Sequence, residues 1–240
     1  MNLLTPWSAA AVIAIIAVGA LIQATTGSGF GIVTAPALIL VDPHLVPGAL
    51  LMLATVICTV TAWRERAWID RGFVTRCVLA AVPGTAAGVT VVHLVGGQTL
   101  AVIIALTVVA AGCAGLCGVR VPLTTRSTLT AGFFSGALNY AAALPGPPLA
   151  LTFRAAEAAR IRATMSAVFA IISAATVLLL AATGRSDSHD LLVALALLVP
   201  MAAGILAARV VMHRIPAAAV ARAGMALSVI AGVGLLVSSL

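Results

Sequence analysis

The feature that most constrains this chain is a series of eight apolar stretches, each long enough to cross a membrane as an α-helix. A bilayer core of about 30 Å requires roughly 20 apolar residues of helix. The stretches cover residues 7–26, 46–63, 73–92, 99–118, 127–144, 161–183, 191–208 and 216–238. The sequence therefore predicts an all-α, polytopic membrane protein, with residues 1–240 forming a single transmembrane domain.

The charge content excludes the water-soluble classes. Charged residues make up 8% of the chain, whereas a soluble domain carries about 25%. The net charge of +7 would point to nucleic acid in a soluble protein. In a membrane protein, arginines in cytoplasmic loops account for it. We therefore expect the lipid bilayer as a partner and no nucleic acid.

Two shorter apolar segments, residues 30–41 and 147–153, follow Gly/Pro-rich interruptions and are too short to cross alone. Backbone at membrane depth must be covered by protein or line a water-filled cavity. We therefore predict that each segment is the returning arm of a re-entrant or broken hairpin, the hairpins covering residues 7–41 and 127–159.

The placement of arginine favours the hairpins. If only the eight long stretches cross, the 13 arginines divide seven to six between the two sides. With the hairpins, Arg185 lies alone on one side, and the other twelve share the opposite side. Those twelve are Arg64, Arg66, Arg71, Arg76, Arg120, Arg126, Arg154, Arg160, Arg162, Arg209, Arg214 and Arg222. The positive-inside rule selects the second arrangement and assigns the twelve to the cytoplasm.

The hairpin topology divides the chain into two repeats, residues 1–120 and 121–240. Each repeat is a hairpin followed by three transmembrane helices, and the two have opposite topology, as in inverted-repeat transporters. An offset of 117 residues aligns Gly19 with Gly136, Gly29 with Gly146, Pro83 with Pro200 and Gly115 with Gly232. The two Gly-x-x-x-Gly motifs, residues 84–88 and 132–136, predict close helix contacts.

The first interruption is the richer candidate site. Its predicted substrate-binding residues are Gln23, Thr25, Thr26, Gly27, Ser28 and Gly29. Glycines let the chain unwind or a ligand approach, and the other four side chains form neutral hydrogen bonds. We expect Thr34 to cap the returning helix and Pro36 to lie in its first turn. Free N–H groups there would bind an anion; the alternative is a tip that serves only close packing.

The second interruption is the string PGPP at residues 145–148, where one helix must stop and a new one can start at Pro148. Asn139 and Tyr140 precede it, and with Gly146 they complete the predicted site. A buried Asn139 indicates either a polar cavity or a hydrogen bond between helices. Tyr140 either faces the same cavity or packs with its hydroxyl bonded to the backbone.

Several absences limit the chemistry. None of the six acidic residues lies in the middle of an apolar stretch, so the sequence indicates no carboxylate proton relay. No Ser/His/Asp or HExxH-like cluster occurs in the stretches, which argues against an intramembrane enzyme. We predict no cofactor and no metal.

The paired interruptions, SGFG followed by AP in one half and PGPP in the other, resemble those of the TauE/SafE-type sulfite exporter permeases, the TSUP family. The resemblance covers the chain in length, number of segments and two-fold organisation. The chain departs from the family pattern G-x-G-G-G-x-x-x-x-P at Phe30 in the first half and at Pro147 and Pro148 in the second. The resemblance implies an exporter of sulfite, sulfoacetate or another small organosulfur anion in a bacterial cytoplasmic membrane.

The combined prediction is an alternating-access transporter that binds a small anion near the bilayer midplane, between the two hairpin tips. The alternative is an anion-selective channel that uses the same tips as a constriction. Whether the chain acts alone or as a homo-oligomer stays open.

Overall fold

A computed structural model describes residues 6–119, 121–153, 155, 157–214 and 216–239 of the chain. Within these ranges it contains α1 (Pro6–Thr26), α2 (Phe30–Val41), α3 (Gly48–Arg64), α4 (Arg71–Leu94), α5 (Gly97–Leu116), α6 (Thr125–Ala142), α7 (Gly146–Thr152), α8 (Ala158–Ala182), α9 (Ser188–Arg214) and α10 (Ala217–Ser238). No strand occurs among the described residues. Arg120 and Arg154, two of the twelve arginines assigned to one side, lie outside them.

Six of these helices, α1, α4, α5, α8, α9 and α10, are long and apolar enough to cross a membrane. Helix α3 is also apolar but has only 17 residues. Every predicted stretch, long or short, corresponds to one helix, because the apolar runs end where glycine, proline or charge begins. The predicted all-α, polytopic fold is confirmed.

The open end of the first hairpin, where α1 begins and α2 ends, lies at the end of the helix bundle that carries Arg185. Helix α1 runs in the same direction as α9, since Ala17 packs against Gly204 and Ala24 lies in one pocket with Arg209. Helix α9 begins at the Arg185 end, three residues after Arg185 itself. Helix α1 therefore starts at that end, and α2 returns to it.

The second hairpin, α6 and α7, opens toward the opposite end. Four glycines pack α6 against α4: Gly84, Gly88, Gly132 and Gly136. A Cβ atom at any of them would overlap the backbone of the facing helix, which confirms the predicted contacts. Gly132 faces Cys77 and Gly136 faces Ala81, so the two helices run in the same direction. Both start at the end that holds Arg64, Arg160 and Arg162, which we call the arginine-rich end.

Helices of the two halves pack in exchanged pairs, in which a helix of one half lies on a helix of the other half. Helix α1 of the first half lies on α9 of the second, and α6 of the second half lies on α4 of the first. Helix α3 packs on α8, and α5 packs on α10. The 117-residue offset relates α1 to α6, α3 to α8, α4 to α9 and α5 to α10. This arrangement fits inverted repeats over residues 1–120 and 121–240, which stay a prediction.

Candidate functional site

Two glycines in the left-handed region break the first hairpin. Gly27 has φ +80° and Gly29 has φ +122°, conformations that a residue with a side chain rarely adopts. Helix α2 then begins at Phe30, four residues before the predicted cap. The prediction for Thr34 and Pro36 is therefore wrong, since both lie inside α2. There the Thr34 hydroxyl donates to the Phe30 carbonyl oxygen of its own helix.

The break needs no cap at Thr34 because Gln23 supplies one from the preceding helix. The Gln23 Oε1 accepts a hydrogen bond from the Phe30 N–H at 3.2 Å. Its Nε2 lies 3.0 Å from the Gly27 carbonyl oxygen and 3.4 Å from both Cys58 Sγ and Ser166 Oγ. The side chain is almost wholly buried. Gln23 thus ties the end of α1 to the start of α2 and to helices α3 and α8.

The hydroxyls of the first break face a cavity of about 550 Å³ at the arginine-rich end. Thr25, Thr26 and Ser28 line it together with Arg222 of α10, and we call it the Thr26 cavity. The Thr25 hydroxyl donates to the Leu21 carbonyl at 2.7 Å, so it can donate to a ligand only by giving up that bond. Most of the other lining residues are apolar, and Arg222 is the one charged side chain among the described residues that line the cavity.

The second break is built by prolines. Helix α6 ends in a left-handed residue, Ala143 with φ +56°, and the Ser135 hydroxyl donates to the Pro145 carbonyl at 2.7 Å. Helix α7 starts at Gly146, two residues before the predicted start at Pro148. Proline is tolerated in a first turn because the N–H groups there have no helical partner. The prolines that follow Gly146 lack an N–H, so α7 offers an anion fewer donors than α2 does.

Asn139 is buried between two helices. Its Nδ2 donates to Thr176 Oγ1 at 2.9 Å, and its Oδ1 accepts from the Ser173 hydroxyl at 3.2 Å. Both partners lie on α8, directly behind the second hairpin tip. Of the two alternatives for this amide, the geometry is that of a hydrogen bond between helices.

Tyr140 meets an arginine that sequence reasoning did not select. The Arg185 guanidinium donates to the Tyr140 hydroxyl at 3.3 Å, and its central carbon lies 5.9 Å from the ring centroid. The hydroxyl partner is therefore a side chain and not the backbone. Both residues line a cavity of about 270 Å³ at the Arg185 end, with Ile39 and Leu180 among its apolar walls. We call it the Tyr140 cavity.

The two hairpin tips meet between these cavities, at a contact we call the junction. A Cβ atom on Gly31 would overlap the Ala143 carbonyl oxygen, and one on Gly146 would lie 2.8 Å from Ile32 Cδ1. The remaining void of about 10 Å³ also touches Ser173. That volume holds at most about one water molecule. Because the void lies halfway along α3 and α8, the junction closes the centre of the bundle.

The nine predicted site residues lie at different levels of the bundle. Three line the junction void: Gln23, Gly29 and Gly146. Three hydroxyl residues line the Thr26 cavity, and Tyr140 lines its own cavity. Gly27 packs against the backbone of Arg162, and Asn139 lies between helices, so neither lines any of these three spaces. The residues therefore follow a line through the bundle and do not form one cluster.

Two ion pairs join α8 to the α3–α4 connection at the arginine-rich end. Arg162 pairs with Glu65 at 2.5 Å, and Arg160 pairs with Asp70 at 2.8 Å. The pKa of Asp70 is lowered by the hydrogen bond from the Phe73 N–H and, in addition, by Arg160. These are the ion pairs among the described residues, and neither cavity arginine takes part in one.

One group could hold a cation. Asp187, His189 and Asp190 bring their ligand atoms within 4.8 Å of one another. The group lies near the surface of the Arg185 end, and none of its members lines the junction void or either cavity.

The comparison with protein families identifies the chain. The family model for the sulfite exporter TauE/SafE matches residues 11–235, which is nearly the whole chain. None of the curated proteins and none of the solved structures compared with the chain matches it significantly. Members of the matched family are membrane transporters and not enzymes. The chain belongs to the TauE/SafE sulfite exporter family, and it is a multi-pass membrane protein that exports sulfite or a related sulfur compound.

Proposed function

We propose that the chain exports sulfite or sulfoacetate across the bacterial cytoplasmic membrane by alternating access at the junction. The observation that carries the proposal is a closed junction between two cavities at opposite ends of the bundle. The described lining of each cavity includes one guanidinium, and neither guanidinium pairs with a carboxylate. This combination favours an anion, because an unpaired cation in an apolar cavity attracts negative charge.

The anion enters through the Thr26 cavity. This cavity lies at the arginine-rich end, which the positive-inside rule assigns to the cytoplasm. Its volume of about 550 Å³ admits a small organosulfur anion with part of its hydration. Arg222 provides the charge, and the Ser28 hydroxyl can donate to the oxyanion directly, whereas the Thr25 and Thr26 hydroxyls can do so only by giving up their bonds to the Leu21 and Ile22 carbonyls.

The anion then binds at the start of α2. The Phe30 N–H is already bonded to Gln23, which leaves the N–H groups of Gly31 and Ile32 without a helical partner. These donors and the positive end of the helix dipole stabilise an oxyanion without a permanent buried charge. Gly31 has no side chain, so the anion can approach the backbone closely once the tips separate. Asn139 supports the second tip through α8 and does not touch the anion.

The closed junction favours a carrier over a channel. A void of about 10 Å³ cannot hold sulfite, so the tips must move apart for the anion to bind and pass. If one hairpin moves relative to the other helices at a time, the site opens to one cavity at a time. An anion-selective channel would instead need both tips to open together.

Counterflow in proteoliposomes tests the proposal. Vesicles loaded with unlabelled sulfoacetate should accumulate labelled sulfoacetate from outside, and a parallel assay uses sulfite. Gln23→Ala leaves the Phe30 N–H without its partner, and loss of such a buried bond should slow transport about tenfold. Gln98 is exposed at the start of α5 and is the matched control; Gln98→Ala should transport within about twofold of the wild type.

Three results would contradict the proposal at different points. Transport of neither anion by the wild type would refute the substrate class. Flux that neither saturates nor accelerates with anion on the far side would replace the carrier with a channel. Wild-type transport by correctly folded Gln23→Ala would refute the junction as the binding site.

A further inference from the structure

We infer that Arg185 and Tyr140 form a second anion subsite, which receives the outgoing oxyanion after it leaves the junction. The inference deepens the proposed function and rests on it. It extends the path from the central site to the Arg185 end and assigns a role to the one described arginine that lies away from the arginine-rich end.

A helix terminus holds Arg185 in place. The Gly184 N–H donates to the Ala181 carbonyl at 3.2 Å, and the Arg185 N–H donates to the Leu180 carbonyl at 2.9 Å. This pair of bonds is the Schellman motif, and Gly184 has the left-handed φ of +67° that the motif requires. The backbone of Arg185 is thereby fixed to the end of α8, beside the cavity that its side chain lines.

The chemistry of the Tyr140 cavity suits an oxyanion. Among the described residues that line it, Arg185 is the one charged side chain and none is a carboxylate. A guanidinium has five N–H donors in a planar fork that matches two oxygens of a sulfonate or carboxylate. Its hydrogen bond to Tyr140 uses one of the five. The Tyr140 hydroxyl accepts that bond, which leaves its own proton to donate to the anion.

The subsite lies next to the gate that the anion must pass. Tyr140 is three residues before Ala143, whose carbonyl oxygen forms the junction with Gly31. A separation of Ala143 from Gly31 therefore opens the junction beside the Tyr140 ring. The solvent exposure of Arg185 keeps binding weak, and two acidic residues, Asp187 and Asp190, follow it closely in the chain. A weak subsite suits an exit, because the anion must leave it again.

A labelling experiment tests binding without relying on transport. Ala141 lines the same cavity, and Ala141→Cys would react with a membrane-impermeant maleimide applied to right-side-out vesicles. Vesicles of the parent chain, which carry only the native cysteines, give the background. Sulfoacetate does not react with maleimides and serves as the probe. We expect it to slow the labelling of position 141 in a saturable manner.

Variants assign the protection to Arg185. In the Ala141→Cys background, Arg185→Gln should raise the sulfoacetate concentration for half-protection about tenfold, the cost of losing a charge-assisted bond. Arg126 is exposed on the first turn of α6 at the opposite end, and Arg126→Gln should leave that concentration unchanged. Gly184→Ala should act like Arg185→Gln because alanine disfavours φ +67°. Gly184→Asn should retain protection, since asparagine tolerates this conformation.

Three results would overturn the subsite: no labelling of position 141 from outside, no protection by sulfoacetate, or equal protection with Arg185→Gln. The Gly184 variants keep the test decisive if Arg185→Gln fails to fold. Efflux measured on the same vesicles separates the two proposals. A wild type that binds sulfoacetate at position 141 but transports neither anion would refute the transport proposal and leave the subsite intact.

Discussion

Gly31→Ala is the sharpest perturbation of the junction. The added Cβ would overlap the Ala143 carbonyl oxygen and lie 3.3 Å from the Ala143 carbonyl carbon and 3.6 Å from Leu144 Cα. All three atoms belong to backbone, so no side-chain rotation relieves the overlap. The second tip must therefore move away from α2, by more than about 1 Å if the new contact is to reach ordinary van der Waals separation.

The expected cost follows from two opposed contributions. Overpacking of this kind costs about 1–3 kcal/mol. Alanine in place of glycine inside a helix returns about 1 kcal/mol. The net loss of folding free energy is thus at most about 2 kcal/mol, which leaves a folded protein. The displaced tip is a larger effect for transport, because a shift of about 1 Å at a reacting or binding centre can cost about 100-fold.

The assay measures sulfoacetate counterflow and the thermal midpoint in detergent on the same preparation. Gly96→Ala is the matched control, since Gly96 is the N-cap residue of α5, lines neither cavity, and an added Cβ there meets no atom within 4 Å. We expect Gly31→Ala to reduce transport at least tenfold with a thermal midpoint lowered by a few degrees, and Gly96→Ala to change neither. Wild-type transport and stability for Gly31→Ala would refute the close contact between the tips.

Three further predictions concern other parts of the molecule. Asn139→Ala should lower the free energy of unfolding by about 1–3 kcal/mol, because the Ser173 hydroxyl loses its buried partner, and should leave the KM for sulfite within about twofold. A KM raised tenfold would instead place Asn139 in the binding site. Gly88→Leu should push α4 away from α6 and lower the thermal midpoint, whereas Gly96→Ala should leave the midpoint unchanged because an added Cβ there has no atom within 4 Å. Equal midpoints for the two variants would contradict the close packing of α4 on α6. Asp70→Asn should lower stability at pH 7 by under about 1 kcal/mol. The Asp70 pKa is depressed, so this contribution is fully present above the unfolded value near 4 and is lost as the pH falls below 4 through the folded pKa. A difference that did not shrink between pH 7 and pH 2 would contradict the ion pair.

The sequence predicts the fold well because the bilayer imposes a length on each helix. Charge and Gly/Pro interruptions then mark the ends, and arginine placement orients the hairpins. The predicted segment 30–41 coincides with α2, but the predicted cap at Thr34 is wrong because the cap comes from Gln23, seven residues before Phe30 across a break, and no local capping rule includes such a partner. The start of α7 was misplaced for a related reason, since two prolines fit inside a first turn.

The site was only partly predictable. The first break could be recognised from its composition, because glycines and small hydroxyl residues seldom cluster in an apolar stretch. The contact of Arg185 with Tyr140 joins residues 45 positions apart and depends on how α6 packs beside the end of α8. One signal was available, namely that Arg185 stands alone on its side of the membrane in the hairpin topology. Asn139 could be assigned to its helix contact only once Ser173 and Thr176 were located.

The exchanged pairing of helices also sets the order in which the protein can assemble. Helix α1 packs most extensively on α9, which begins more than 160 residues after α1 ends. At about 5–20 residues per second, the ribosome needs roughly 8–30 s to bridge that gap. Helix α6, by contrast, follows its partner α4 after about 30 residues. The first hairpin, with its polar break, must therefore wait in the membrane for the second half of the chain, and residues 1–120 made alone would lack the surface that α1 requires.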